Sequence, residues 1–261
     1  MSRSLPLFLL IALLSCAPKQ QVVEVPPPPS PPIDHGALLS QQGADAVLWQ
    51  NSSAEAYRLF QQGYELARVR LAENMARMSV GPYAVIVDID ETVLDNSPYQ
   101  VNLVRDGHVY DQATWKEWTD RAAAKASPGA LDFLRHAQAK GCEVFYITNR
   151  DVRERASTLK NLNDLGFPYA DEAHLLLMDG ASDKTERRAK VAATHRIILL
   201  VGDQLRDFDE RFKDRSVNFG RDLVDAYADT LMRYFVLLPN PTYGTYRDCA
   251  GQGLRGRSTR R

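Results

Sequence analysis

An α/β fold, a parallel sheet with helices on both faces plus a small, mostly helical cap, is predicted by three observations. Short apolar runs alternate with helical patterns along most of the 261-residue chain, the signature of strands joined by right-handed crossovers. Those runs lack an alternating polar side, as expected of strands buried on both faces. One polar stretch, residues 100–126, interrupts the alternation just after the first run.

The elements follow in order. Residues 53–78 repeat apolar side chains at Ala54, Tyr57, Phe60, Tyr64, Ala67, Leu71, Met75 and Met78. Spacing of three and four predicts one long amphipathic helix packed on the core. Gly81 and Pro82 stop it before the first strand, "YAVIVD". The other strands are "CEVFYIT", "AHLLLM", "RIILLVGD" and "YFVLLP". Helices are expected at "PGALDFLRHAQAKG", where Pro128 and Gly141 mark start and stop, at "VRERASTLKNLNDLG", closed by Gly166, and at "KTERRAKVAATH". The interrupting segment, "QVNLVRDGHVYDQATWKEWTDRAAAK", carries Trp115 and Trp118 and is read as a cap over the strand ends.

Length and composition fit one large soluble domain, with 44% apolar and 25% charged residues. A net charge of -1 gives no reason to expect a nucleic acid polymer as partner. Residues 1–15 hold Arg3 and an apolar run too short to cross a bilayer, which reads as a cleaved signal peptide. The ending "LLSC" resembles a bacterial lipobox, which makes Cys16 the lipidated first residue of the mature chain. Ala17 after it implies the outer membrane, so the expected location is a lipid-anchored position in the bacterial cell envelope. Residues 16–36 form a Pro-rich linker, whose seven-residue proline run would extend roughly 20 Å. The folded domain is then 37–248, and 249–261 a basic tail. Cys142 and Cys249 leave one disulfide open. Oligomeric state is also open, a homodimer included.

Ligands of open parallel sheets bind beyond the carboxyl ends of the strands. Those ends supply Asp88 and Asp90 on the first strand and Thr148, Asn149 and Arg150 on the second. Lys184 follows the third; Asp203 and Asp207 follow the fourth. Glu91 and Asp95 add to the charge near the first. Carboxylates gathered from separate strands repel one another unless a cation neutralises them. All-oxygen donors suit a hard ion, and Mg2+ in particular. Zinc is disfavoured because no paired His or Cys stands at its spacing.

These motifs carry a resemblance. "IVDIDETVLDNSPY" and "ILLVGDQLRDFDE" match the paired-aspartate signatures of the haloacid dehalogenase superfamily, and "FYITNR", "SDKTERR" and "LPNPTYGTY" fit its other motifs. Within it, the chain resembles the class C acid phosphatases of bacterial lipoprotein type, over residues 53–248. The resemblance implies a Rossmann-like, haloacid dehalogenase-like sheet and Mg2+-dependent hydrolysis of phosphomonoesters. It further implies nucleoside 5′-monophosphates or nicotinamide mononucleotide as substrates. Asp88 is then the nucleophile that forms an aspartyl-phosphate, and Asp90 the general acid and base. Mg2+ is held by the Asp88 side chain, the Asp90 backbone carbonyl, Asp203 and, through water, Asp207. Thr148, Asn149 and Lys184 bind phosphate, with Lys184 at a helix start that disfavours a cation unless it has a partner. Trp115 and Tyr243 stack on the substrate base, and Asn96 and Tyr99 shape the loop after Asp95. Arg187 and Arg188 are left without separate roles. Gln204 stands where the family usually has Asn, which puts the hydrogen bonding around Asp203 in question. Phosphate transfer to another acceptor on the same fold and a non-catalytic surface lipoprotein that binds haem or a host ligand are the alternatives.

Overall fold

Five strands line up in parallel in the computed structural model, which describes residues 43–78 and 81–249. They are β1 (Tyr83–Val87), β4 (Cys142–Asp151), β5 (Leu175–Met178), β6 (Arg196–Gly202) and β7 (Phe235–Leu237), in spatial order β5-β4-β1-β6-β7. All five predicted runs are strands. Central β1 pairs with β4 on one side, Val87 opposite Tyr146, and with β6 on the other, Val87 opposite Val201. The strand order therefore runs outward in opposite senses on the two sides of β1, and the crevice outside its carboxyl end is where a ligand is expected.

Helices cover both faces. On one, α2 (Ala54–Arg77), α5 (Ala130–Ala139) and α6 (Arg155–Asp164) bury Phe60, Tyr64, Leu71, Phe133 and Leu162 against Val85, Val87 and Tyr146. Each such side chain contributes about 1.5–3 kcal/mol by leaving water. On the other, Val191 of α7 (Thr185–Ala192) and Phe208 of α8 (Leu205–Phe208) pack on Ala84, Ile86, Ile147 and Leu200. The long helix starts at its Ser53 cap, whose Oγ accepts the Ala56 N–H at 2.9 Å. Its core stripe is Ala56, Phe60, Tyr64, Ala67, Leu71 and Asn74, while Tyr57 is 57% exposed. The apolar spacing fits two neighbouring stripes at the first turn, and packing on the sheet selects the one through Ala56.

The inserted segment is two helices, α3 (Ser97–Asp106) and α4 (Gln112–Asp120). The Asp111 carboxylate caps α4 by accepting the Ala113 and Thr114 N–H groups. A short antiparallel pair, β2 (Leu94–Asp95) and β3 (Lys125–Ala126), closes the insert where it leaves and rejoins the sheet. Another helix, α1 (Ala44–Ser52), precedes α2 and packs beside α3. Near the carboxyl end, α9 (Arg221–Ala226) and α10 (Ala228–Tyr234) lead into β7. Cys142 is a buried free thiol at 4.0 Å from the Met75 sulfur, and burial pushes its pKa up to about 11. Cys16, the signal segment, the linker and the tail beyond 249 lie outside the described residues, as does the Cys249 side chain.

Candidate active site

At the end of β1 the chain makes one tight turn. The N–H groups of Thr92, Val93 and Leu94 all point to the Ile89 carbonyl, and Glu91 takes φ 55°. That turn leaves Asp88 and Asp90 facing a cavity of about 880 Å³. Glu91 goes the other way. It is buried, accepts the Asn96 N–H at 3.1 Å and meets the Tyr243 hydroxyl. Burial raises the Glu91 pKa well above the carboxylate range, and Asp90, Asp203 and Asp95 add to the rise.

Strand β6 delivers the second pair of acids. It ends at Gly202, after which α8 folds Asp207 back over the strand end. A Cβ at Gly202 would lie 2.5 Å from Asp207 Oδ2, so only glycine leaves room for that carboxylate. Asp88, Asp203 and Asp207 consequently offer oxygens that lie within 4.8 Å of one another. The Lys184 ammonium stands between them, 2.5 Å from Asp88 Oδ1 and 2.7 Å from Asp207 Oδ1.

The electrostatics of this cluster are unbalanced. Burial pushes the Asp88 pKa well up; Lys184 opposes the rise, and Asp207, Asp203 and Asp90 reinforce it. Burial works against the charge on Lys184 too, yet Asp207 and Asp88 hold its pKa above the ordinary lysine value. The ammonium thus keeps its proton, and Asp88 carries the cost of burial. Asp203 is raised to about 7, by burial first and by Asp207 next, with hydrogen bonds from Asn240 and Gln204 pulling the other way. Lys184 bonds only Asp88 and Asp207, so a divalent ion shared with Asp203 would complete the neutralisation that Lys184 begins. Asp203 is prepared for that. Its Oδ2 accepts from Asn240 Nδ2 at 2.7 Å and from Gln204 Nε2 at 2.9 Å, which leaves Oδ1 for an ion. The donor set fits a hard cation.

Asp90 sits apart from that cluster in a cage of its own. Arg150, 1% exposed at its side chain, reaches Asp90 Oδ1 through Nη2 at 2.8 Å and Nε at 3.0 Å. Asn96 donates to the same oxygen at 2.8 Å and accepts from Trp118 Nε1 at 2.8 Å. Sequence reading gave neither Arg150 nor Asn96 this part. The only signal for Arg150 was its place at the end of β4, beside Thr148 and Asn149.

The remaining residues singled out in the sequence divide by position. Asn149, Lys184, Trp115 and Tyr243 line the cavity together with the four aspartates. Thr148 has no exposed surface and lies below the lining; its hydroxyl accepts the Arg150 N–H at 3.1 Å. Arg187 and Arg188 both serve the site's framework. Arg187 is buried and grips the Thr148 carbonyl, Asn149 Oδ1 at 2.8 Å and the Ser182 and Asp183 carbonyls. Arg188 donates to the Asp207 carbonyl at 3.0 Å. Trp115 meets Tyr99 edge-on, ring centres 5.2 Å apart, and Tyr99 bonds Thr114 Oγ1 at 3.0 Å. The apolar side of the cavity comes from Val47 of α1, from Leu103 and Val104 of α3, and from Val109 and Tyr110.

Comparison with known proteins gives consistent relatives. A family model described as "HAD superfamily, subfamily IIIB (Acid phosphatase)" matches residues 36–246. The crystal structure of the class C acid phosphatase from Bacillus anthracis with tungstate bound is 33% identical. It aligns over 85% of this chain and 98% of its own, with a TM-score of 0.77. Acid phosphatase 1 of Solanum lycopersicum is 33% identical over 131 residues, 47% of this chain and 50% of that protein. The stem 31 kDa glycoprotein of Glycine max is 27% identical over 139 residues, 50% of this chain and 55% of its own. The chain spans about half the length of these curated relatives.

Proposed function

We propose that this chain, which belongs to the acid phosphatases of HAD superfamily subfamily IIIB, is a Mg2+-dependent phosphomonoesterase that acts through an aspartyl-phosphate. One observation carries the reading: Asp88 faces the cavity with one oxygen on Lys184 at 2.5 Å, beside two further acids that an ion could share. The relative from Bacillus anthracis holds tungstate, an oxyanion of phosphate-like shape, which supports an anion seat on this fold.

Asp88 attacks phosphorus, the P–O bond to the leaving group breaks, and Asp90 gives its proton to the departing alkoxide. Water then attacks the acyl phosphate, returns a proton to Asp90 and frees Asp88. Asp90 thus gives a proton in the first half of the cycle and takes one back in the second. Arg150 and Asn96 fix its carboxyl in place throughout. Asp88, the Asp90 carbonyl, Asp203 and, through water, Asp207 would hold the ion, which would screen one anion from another and polarise a phosphoryl oxygen. Lys184 and the N–H groups around Asn149 meet the charge on the non-bridging oxygens, with the Thr148 hydroxyl beneath them. Trp115 and Tyr243 offer ring faces for the base of a nucleoside 5′-monophosphate or nicotinamide mononucleotide. Lipid attachment at Cys16 would place this chemistry at the envelope surface.

Phosphate release from 5′-AMP, nicotinamide mononucleotide and p-nitrophenyl phosphate tests the reading. Turnover is expected with Mg2+ and should vanish in EDTA and in Asp88→Asn. An enzyme fully active after exhaustive chelation, or an active Asp88→Asn protein, would overturn it.

A further inference from the structure

Gln204 touches both halves of the site at once. Its backbone N–H donates to Asp207 Oδ2 at 2.9 Å, and its side-chain Nε2 donates to Asp203 Oδ2 at 2.9 Å. The same Nε2 reaches the Tyr243 carbonyl at 3.3 Å, and Oε1 accepts the Thr245 N–H at 3.3 Å. A Cβ on residue 244 would stand 2.4 Å from Oε1, so Gly244 is what lets the long amide lie against this loop. Asn240 repeats the pattern. It donates to Asp203 Oδ2 and accepts from the N–H groups of Thr242 at 2.9 Å and Tyr243 at 3.4 Å.

One carboxylate oxygen therefore anchors, through two amides, the backbone that carries an aromatic wall of the cavity. We propose that Gln204 is a positioning residue that couples cation binding at Asp203 to the placement of Tyr243, and so favours phosphomonoesters with a ring-bearing leaving group, a nucleoside above all, over small aliphatic ones. The inference rests on the phosphatase reading for its substrates but not for its mechanics. An ion on Asp203 fixes the oxygen on which Gln204 hangs, and the amide passes that order to residues 243–245. By reciprocity, a ring held against Tyr243 tightens the ion.

Calorimetric titration of Mg2+ with and without adenosine, which has no phosphate to lose, reads the coupling without turnover. In the parent, adenosine should tighten Mg2+ at least threefold. Gln204→Ala should lose most of that effect, keeping only what Asn240 carries, and bind Mg2+ more weakly even alone. Gln204→Asn keeps an amide but falls a carbon short of spanning from Asp203 to Tyr243, both of which the one Nε2 reaches. It should lose the adenosine effect whatever its affinity for Mg2+ alone. In kinetics at saturating Mg2+, both variants should raise KM for 5′-AMP about five- to tenfold and change that for glycerol 2-phosphate less than twofold. Parent-like thermal unfolding in EDTA would show that both variants fold. Equal KM changes for the two substrates, no adenosine effect in the parent, or a Gln204→Asn protein that retains it would each overturn the coupling. A parent that shows coupling but no turnover would instead remove the phosphatase reading and leave the coupling standing.

Discussion

Replacing Asp203 by Asn should stabilise the metal-free protein while disabling it. The Asp203 pKa is raised to about 7 in the fold, against about 3.9 in an unfolded chain. A carboxyl raised in this way holds its proton longer when folded than when unfolded. Its ionisation therefore costs the fold nothing below about pH 4, a growing amount as pH climbs, and the full amount above pH 7. Three units at about 1.4 kcal/mol each give a full cost of about 4 kcal/mol. At pH 5 only about one unit of that window has been crossed, and the cost is about 1.5 kcal/mol. An amide in its place keeps an oxygen for Asn240 and Gln204, carries no charge and removes the cost. Urea unfolding in EDTA should accordingly show the Asp203→Asn protein more stable than the parent by about 4 kcal/mol at pH 8 and about 1.5 kcal/mol at pH 5. Saturating Mg2+ should narrow the gap, because the parent gains more from the ion. A variant no more stable than the parent at pH 8, or a gap that ignores pH, would refute the reasoning.

Lys184→Met strips the buried acids of their shared ammonium, 2.5 Å from Asp88 and 2.7 Å from Asp207. It should cost about 3–5 kcal/mol in EDTA at pH 7, read by urea unfolding, and about 10²–10³ in kcat with Mg2+ present. The Lys184 pKa is raised, so its contribution is present throughout the acid and neutral range and fades only above the ordinary lysine value. Arg150→Lys keeps a positive charge near Asp90 but cannot reproduce the Nε and Nη2 pair of bonds. Steady-state assays should show kcat reduced about ten- to hundredfold with KM little changed. Cys16→Ser should move the protein from the membrane pellet to the soluble fraction on cell fractionation.

The sheet was readable because its strands are largely apolar runs, and two of them are followed directly by the acids of the site. Asp88 follows Val87 and Asp203 follows Gly202 without an intervening residue, so locating the strand locates the acid. Contacts that depend on two loops meeting were not readable. Asn240 and Gln204 are far apart in sequence and converge on one oxygen of Asp203. Neither residue announces that by type or spacing. Glu91 shows the opposite failure, since composition counts it with the clustered acids. A single residue at φ 55° turns it away from the cavity and under Tyr243. Charge density along a chain says where acids gather, and only the backbone turn says which of them face the same space. The two-residue strands β2 and β3 are too short for any periodicity, and α1 lacks the sustained stripe that revealed α2.

The spacing of Asp203 and Asp207 works for a reason that the motif does not state. Residues four apart on an extended strand would lie about 13 Å from each other, too far to share an ion. Here β6 stops at Gly202 and α8 begins at Leu205, so the chain doubles back within two residues. Gln204 holds the reversal by donating its N–H to Asp207 Oδ2 at 2.9 Å. Gly202 leaves the space into which that carboxylate falls. The site is thus defined as much by a missing Cβ as by its acids. A side chain at 202 would push Asp207 off Lys184, and the surviving ammonium could no longer bridge two strand ends. The same logic applies at Gly244, where an absent Cβ admits the Gln204 amide. Carboxylates supply the charge of this site, but the two glycines decide whether that charge can be brought to one point.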